Sequence, residues 1–233
     1  EIRYSPTYEQ GRVYVGSGDG WVYAYEAQSG AQLWRFQAAP YPRKIPVFGT
    51  LLSTWPAASG VLVEDGTAYT GAGILNYDGT YVYALDAVTG SVQWKNTTSG
   101  HLDPEARTGV SVQGHLLLHD GKLYMAGGTV ASPAVYDITD GICLNDPGPI
   151  REMEPNATVE NSPRGSELFL FDNTVHVSGK PFYSDPQFPV YEFKTLNRIL
   201  HASSGGRDIG WVHYRSVQGN VPSASAPMDK VMC

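Results

Sequence analysis

The densest group of residues that could do acid–base or metal chemistry lies in the segment SGHLDPEARTGVSVQGH, residues 99–115. At alternate positions this segment carries His101, Asp103, Glu105 and Arg107. Two carboxylates beside an imidazole could transfer protons or hold a hard cation. The same side chains could instead form a salt-bridged network that fixes a turn, and we favour this structural role. We therefore expect no bound metal, and Asp103 and Glu105 would be the candidate ligands if one were present.

Two further segments carry polar and aromatic residues on predicted connections. Residues 37–54, QAAPYPRKIPVFGTLLST, hold three prolines and the cation Arg43, and residues 74–79 form an insertion in a repeated unit. Such connections run over one face of a β domain and often bind ligands, although an ordered surface loop or a plain turn would look the same. The ligand-binding candidates are therefore Arg43, Asn76, Tyr77, Asp78, His101, Asp103, Glu105 and Arg107.

The elements that must position these segments are short β-strands. Residues 61–94 read as four consecutive strands, with turn signals at Asp65-Gly66 and Thr89-Gly90. The first turn recurs as Gln10-Gly11 and Asp120-Gly121, at spacings of 55 residues. A fainter copy, Asp172-Asn173, follows 52 residues after Gly121, with Asn where Gly stood. Asn tolerates the left-handed conformation that such a turn requires.

A second anchor recurs in step with the first. Ala27-Gln28-Ser29-Gly30 leads to Trp34, and Ala87-Val88-Thr89-Gly90 leads to Trp94. Thr139-Asp140-Gly141 repeats the turn, but Asn145 stands in place of the Trp. One sheet of four strands cannot bury both of its faces alone, so repeated units of this kind must pack against each other.

Composition agrees with an all-β chain and restricts its partners. The 233 residues include 26 Gly, aromatic residues reach 12%, and charged residues are only 17%. The formal net charge is 16 − 23 = −7, which argues against nucleic acid or an anionic membrane as partner. The sequence contains no apolar run near the roughly 20 residues of a membrane span. Cys143 and Cys233 lie in no metal or redox motif, and a disulfide between them is left open.

The segment GRVYVGSGDGWVYAYEAQSGAQLWRF resembles the repeat of quinoprotein-type (PQQ-like) β-propellers, and the segments DGTAYTGAG and YVYALDAVTGSVQW resemble the same repeat. The resemblance implies a toroidal all-β fold of four-stranded antiparallel blades, with a Trp-docking pattern between neighbouring blades. It also implies a protein of the bacterial cell envelope, so we expect an extracytoplasmic location: periplasm, cell surface or secreted.

We expect a single β-propeller domain over residues 1–233. The blades would span approximately 1–36, 55–98, 109–146 and 165–214, with residues 199–202 and 209–214 as the third and fourth strands of the last one. Residues 215–233 would be a tail or the start of a further blade. Four blades could close a compact ring, but we favour a partial ring that the remaining chain or a protein partner completes.

Three functions follow from this interpretation, and we favour the first. It is a non-catalytic propeller that serves as a scaffold or binds a protein, a carbohydrate or a small ligand, with no cofactor. The second is a dehydrogenase of alcohols or sugars that uses pyrroloquinoline quinone (PQQ) and Ca²⁺, which the resemblance alone suggests. Alcohol-oxidising members carry adjacent cysteines, and this sequence has none. The third is a polysaccharide-active propeller enzyme that uses the carboxylates near residue 103.

Overall fold

The structure is a computed structural model, and it describes the chain in separate ranges. These are residues 2, 4–47, 49–75, 78–100, 109–127, 132–145, 167–171, 173–177, 180–181, 199–202, 211–215 and 224–227, the last four as backbone only. Within these ranges the chain forms β-strands and their connections and contains no α-helix.

The first sheet has four antiparallel strands in chain order. They are β1 (Thr7–Glu9), β2 (Arg12–Gly16), β3 (Trp21–Glu26) and β4 (Gln32–Gln37). A separate two-stranded hairpin follows, made of β5 (Lys44–Val47) and β6 (Thr50–Ser53). It lies in the proline-containing connection of residues 37–54, where the sequence indicated only a loop.

The second sheet repeats the first. Its strands are β7 (Val61–Glu64), β8 (Thr67–Ala72), β9 (Tyr81–Asp86) and β10 (Val92–Asn96), again antiparallel and in chain order. The third sheet has β11 (Leu116–His119), β12 (Lys122–Met125) and β13 (Ala134–Asp137). In the described residues, the outer edge of β13 is paired through an isolated antiparallel bridge between Tyr136 and Cys143, where the first two sheets have a full fourth strand.

Two three-stranded sheets follow. One contains β14 (Leu168–Phe171), β15 (Thr174–Val177) and β16 (Lys180–Pro181), and the other contains β17 (Ile199–Ala202), β18 (Trp211–Arg215) and β19 (Ala224–Pro227). The segments at 199–202 and 209–214 were expected to complete the fourth unit. Instead β18 pairs with β17 on one side and with β19 on the other, and β19 lies in the stretch that we expected to be a tail.

The turns between first and second strands explain why the 55-residue spacing marks structure. Gln10, Asp65 and Asp120 have φ of 46°, 49° and 48°, and the glycines that follow them have φ of 79°, 75° and 66°. Positive φ at both central positions is the type I′ turn that matches the twist of a two-residue hairpin. Asn173 has φ 58° in the fourth unit, as expected for Asn at this corner.

Buried side chains join the first four sheets in consecutive pairs. Between the first two sheets, the core includes Tyr14, Val22, Ala24 and Trp34 from one side and Tyr83, Leu85 and Ala87 from the other. Between the second and third, Tyr69, Val82 and Trp94 meet Leu123, Met125 and Tyr136. A third cluster joins Tyr124 and Val135 to Leu168, Val175 and Val177. Burial of each large apolar side chain stabilises the folded state by about 1.5–3 kcal/mol. These contacts therefore hold consecutive sheets together.

Tryptophan docking fixes the register between consecutive sheets. Trp34 donates its indole N–H to the carbonyl oxygen of Ala87 at 3.0 Å, and Trp94 donates to that of Ile138 at 2.7 Å. Each ring lies on a turn glycine of the next sheet, since a Cβ on Gly90 would stand 2.7 Å from the Trp34 ring. The same pattern would place a Cβ on Gly141 2.4 Å from the Trp94 ring.

Asn145, the residue at the Trp position of the third unit, plays a different role. Its side-chain amide donates to the carbonyl oxygen of Pro133 at 2.9 Å, and its side-chain oxygen accepts the backbone N–H of Val135 at 2.9 Å. Both partners belong to the same unit as Asn145. The third unit therefore uses this position to satisfy its own edge strand and not to dock on the following sheet.

Candidate functional site

Two of the candidate loops leave the sheets at the same end. In a four-stranded antiparallel sheet in chain order, the connection after the fourth strand and the loop between the second and third strands lie at one end. The first kind contains Arg43, between β4 and β7, and the second contains Asp78, between β8 and β9. We call the group Tyr41, Arg43, Thr54, Trp55 and Asp78 the loop-end site.

Arg43 lies at the centre of the loop-end site and is held on three sides. Its Nε donates to the hydroxyl of Thr54 at 3.0 Å, and its Nη2 lies 3.4 Å from Oδ1 of Asp78. Its guanidinium carbon stands 4.6 Å from the centroid of the Trp55 ring, a cation–π contact. The Arg43 side chain is nevertheless 55% exposed, compared with 28% for Asp78. The guanidinium is thus oriented by the protein and still open to a partner.

Trp55 organises the aromatic part of the site. It is 5% exposed and donates its indole N–H to the carbonyl oxygen of Asp78 at 2.6 Å, which ties the connection to the insertion. The rings of Tyr41 and Tyr81 lie 6.1 and 6.4 Å from the Trp55 ring. Burial raises the pKa of Tyr81, and Tyr41 and Asp78 raise it further. Trp55 was not among the sequence candidates, although its position immediately after a long connection was a usable signal.

The hairpin β5–β6 is anchored beside this site. Ser53 donates its backbone N–H to the carbonyl oxygen of Gly18 at 2.8 Å, and Thr54 donates its own to that of Arg43 at 3.0 Å. Pro46 lies within β5 and has no N–H, so it weakens that strand as an edge for pairing with another chain. Leu51 and Tyr41 are each 66% exposed. The hairpin region thus offers side chains to a partner more readily than backbone.

The other sequence candidates lie outside the described residues. These are Asn76, Tyr77, His101, Asp103, Glu105 and Arg107. The described ends of the 101–108 connection lie beside the loop that carries Asp78. A Cβ on Gly100 would stand 2.2 Å from the backbone nitrogen of Thr80, and the Thr80 hydroxyl donates to the carbonyl oxygen of Val110. Arg43 and Asp78 are therefore the two candidates that the structure brings together.

The described part of the loop-end site is suited to binding more than to proton transfer. Its one carboxylate, that of Asp78, faces the guanidinium of Arg43. Across the ranges that the structure describes, no group of three or more His, Cys, Asp or Glu could hold a metal ion. This donor set does not fit Ca²⁺ with a quinone, which requires several oxygen ligands. We therefore derive no chemical step through PQQ, which stays an implication of family resemblance only.

Four-stranded antiparallel sheets that repeat along the chain and pack on one another, here with a Trp docking the first two sheets each on the next, are the architecture of the β-propeller class of repeat protein. The family model described as the outer membrane protein assembly factor BamB, a PQQ-like repeat, matches residues 1–142. The chain belongs to this BamB/PQQ-like repeat family. The resemblance read from the sequence is thereby confirmed. A search of the curated proteins found no match.

Solved structures show the same fold at low sequence identity. BamB from Moraxella catarrhalis is 17% identical with a TM-score of 0.53, covering 95% of this chain and 60% of that one. The computationally designed Ika8 protein is 16% identical with a TM-score of 0.51, covering 91% and 57%. A europium-containing methanol dehydrogenase is 14% identical with a TM-score of 0.50, covering 97% and 41%. The chain thus spans 41–60% of the length of these three proteins.

Within the ranges that the structure describes, no helix is long and apolar enough to cross a membrane.

Proposed function

We propose that this chain is a non-catalytic scaffold propeller of the cell envelope, and that the loop-end site is a surface on which it binds a protein partner. The observation that carries the proposal is Arg43, which is oriented by Trp55, Thr54 and Asp78 yet is 55% exposed. A pre-oriented side chain loses little conformational entropy when it binds. Arg, Trp and Tyr are also the residue types most enriched in the binding hot spots of protein interfaces.

The relatives support a protein partner and an envelope location. The matching family is described as an outer membrane assembly factor, and such a factor acts on other proteins at the cell envelope. Methanol dehydrogenase shares the fold, but a shared fold is weak support for a shared activity. The location in the periplasm or at the cell surface is part of the proposal.

The binding surface can be tested by site-specific photocrosslinking. A photoreactive phenylalanine analogue at Tyr41 should give an adduct of defined mass with one protein of the source cell envelope. Arg43→Ala should abolish this adduct, and Arg43→Lys should weaken it because Lys cannot reproduce the planar contact with Trp55 and the bond to Thr54. The matched control places the analogue at Val88, which is 55% exposed on a turn at the other end of the second sheet. An adduct that persists in Arg43→Ala would contradict the proposal.

The dehydrogenase alternative has its own test. Isothermal titration of the purified chain with PQQ, in the presence of Ca²⁺, should give no saturable heat. Saturable binding at one site would favour the quinoprotein dehydrogenase and contradict a cofactor-free scaffold.

A carbohydrate ligand is the second candidate for the same site. The exposed ring of Tyr41 could stack on the apolar face of a sugar, and the Arg43–Asp78 pair offers both donors and an acceptor to hydroxyl groups. Neutral hexasaccharides are the suitable probes. Saturable binding that is lost in Tyr41→Ala and retained in Val88→Ala would favour this candidate over a protein partner.

A further inference from the structure

The second and third sheets leave a cavity between them, at the end of the second sheet opposite the loop that carries Asp78. Its volume is about 190 Å³, and it lies between the β7–β8 turn and the β11–β12 turn. We call this space the turn-end cavity. Three apolar or aromatic side chains form its walls and three exposed carboxylates stand at its rim: Tyr69, Leu118 and Ile138, and Glu64, Asp65 and Asp120.

The turn-end cavity occurs where a short side chain takes the place of a long cationic one. The residue after the turn glycine is Arg12 in the first sheet, Thr67 in the second and Lys122 in the third. In each sheet it stands two positions before the buried Tyr of the second strand, so both side chains lie on the face that packs against the next sheet. Of the three residues, Thr67 alone carries no charge.

Arg12 shows what the equivalent space accommodates between the first two sheets. Hydrogen bonds from Thr89 lower the pKa of Asp86 in the second sheet, and the positive charge of Arg12 in the first sheet lowers it further. Burial raises the pKa of Tyr14, and the charge of Arg12 opposes this rise. A guanidinium at this position therefore acts on a carboxylate across the interface.

The turn-end cavity has the negative charge without the cation. Among the described residues that line it there is no Lys or Arg, and none of its three rim carboxylates lies within ion-pair distance of a described cation. Burial raises the pKa of Tyr69, the Thr67 hydroxyl lowers it, and the charges of Glu64 and Asp65 raise it further. The negative potential of the rim therefore reaches the aromatic wall.

We propose that the turn-end cavity binds the side chain of an arginine that a partner protein presents. The alkyl stem packs on the apolar walls while the guanidinium reaches the rim carboxylates, as long cationic side chains bury their stems and keep the charged group near water. Arginine fits better than lysine, because its planar group donates to two carboxylate oxygens at once and stacks on aromatic rings. The carboxylates alone would not make this site, since exposed ion pairs contribute little without an enclosing surface.

The turn-end cavity is separate from the loop-end site. The two lie at opposite ends of the second sheet and share no residue. The proposal therefore does not depend on what binds at Arg43, and each can fail without the other.

Titration of the purified, isotope-labelled chain with N-acetylarginine amide tests the site by NMR. The probe should shift the amide signals of residues 64–69 and 118–121 saturably. N-acetylcitrulline amide has nearly the same shape without the charge and should bind roughly tenfold or more weakly. Equal binding of the two compounds, or saturable shifts at other residues only, would overturn the proposal. So would tighter binding of butylguanidine than of the blocked arginine, because the cavity would then suit a free small molecule and not a protein side chain.

Three variants test the role of charge at the cavity. Thr67→Arg gives the second sheet the residue of the first, and it should abolish probe binding because the chain's own guanidinium fills the space. Glu64→Gln should weaken binding about two- to fivefold. Glu9→Gln is the matched control, since Glu9 pairs with Arg12 as Glu64 pairs with Thr67, and it should leave binding unchanged. Binding that survives Thr67→Arg, or an equal loss in the two glutamate variants, would overturn the proposal.

Discussion

At the scale of single residues, the tryptophans that join consecutive sheets combine burial with a directed hydrogen bond. Trp34 is 8% exposed and lies between Tyr14 of its own sheet and Gly90 of the next. Its indole N–H has the Ala87 carbonyl as partner. The two contributions can be separated, because Phe keeps most of the apolar contact and lacks the N–H.

We expect Trp34→Ala to lower the free energy of unfolding by about 3–5 kcal/mol, because it opens a cavity between two sheets. Trp34→Phe should lower the free energy of unfolding by a smaller amount, which includes about 0.5–1.5 kcal/mol for the lost hydrogen bond. Urea denaturation measures both values. Leu33→Ala in the same strand is the control, since Leu33 is 45% exposed and should change stability by no more than about 0.5 kcal/mol. Similar losses for Leu33→Ala and Trp34→Ala would contradict the docking role.

The raised pKa of Tyr83 predicts a loss of stability at alkaline pH. Burial raises the pKa of Tyr83 from 10.0 to about 12. The unfolded chain therefore releases this proton at lower pH than the folded chain does. The contribution of Tyr83 to the free energy of unfolding is therefore fully present below about pH 10 and is lost as the pH rises towards about 12. The urea midpoint should fall between pH 9 and pH 11, and this fall should be smaller in Tyr83→Phe than in the unmodified chain. An unchanged difference between the two pH values would refute this assignment.

At the scale of elements, the connection of residues 37–54 shows what sequence reasoning missed. Pro40, Pro42 and Pro46 indicated a loop, yet the chain forms the hairpin β5–β6. A single short pair has too little apolar periodicity to be recognised, and Pro46 fits only because an edge strand can tolerate a missing N–H. The contact between Arg43 and Asp78, 35 residues apart, depends on tertiary packing that no local pattern encodes.

We expect the ion pair of the loop-end site to be weak and salt-dependent. A double-mutant cycle of Arg43→Ala and Asp78→Ala should give a coupling of about 0.2–1 kcal/mol at low salt, and less at high salt because exposed charges are screened. Denaturation at two ionic strengths measures it. A coupling that does not change with salt would mean that the pair is not the exposed contact described here.

Trp55 should control the mobility of the neighbouring hairpin. Trp55→Ala removes the bond to the Asp78 carbonyl and the surface under Arg43. Amide hydrogen exchange over β5–β6 should accelerate, while exchange in β8 and β9 should stay close to that of the unmodified chain. Unchanged exchange in the hairpin would show that Trp55 does not anchor it.

At the scale of the whole molecule, the repeated turns made the architecture predictable. Positions 11, 66 and 121 need positive φ, so Gly after Gln or Asp marks the same corner in each unit. The later sheets were harder to predict, because the anchors fade after Asn145 and the pairing of β18 with β17 and β19 follows no repeated residue.

The most direct test of the blade-to-blade docking compares two equivalent glycines. Gly30 and Gly90 have φ of 71° and 74°, so Ala should cost each turn a similar strain of about 1–2 kcal/mol. At Gly90 the new methyl group also meets the Trp34 ring, which should add about 1–3 kcal/mol. Urea denaturation of Gly30→Ala and Gly90→Ala gives the difference. The account predicts that Gly90→Ala is clearly the less stable, and equal stability of the two variants would contradict it.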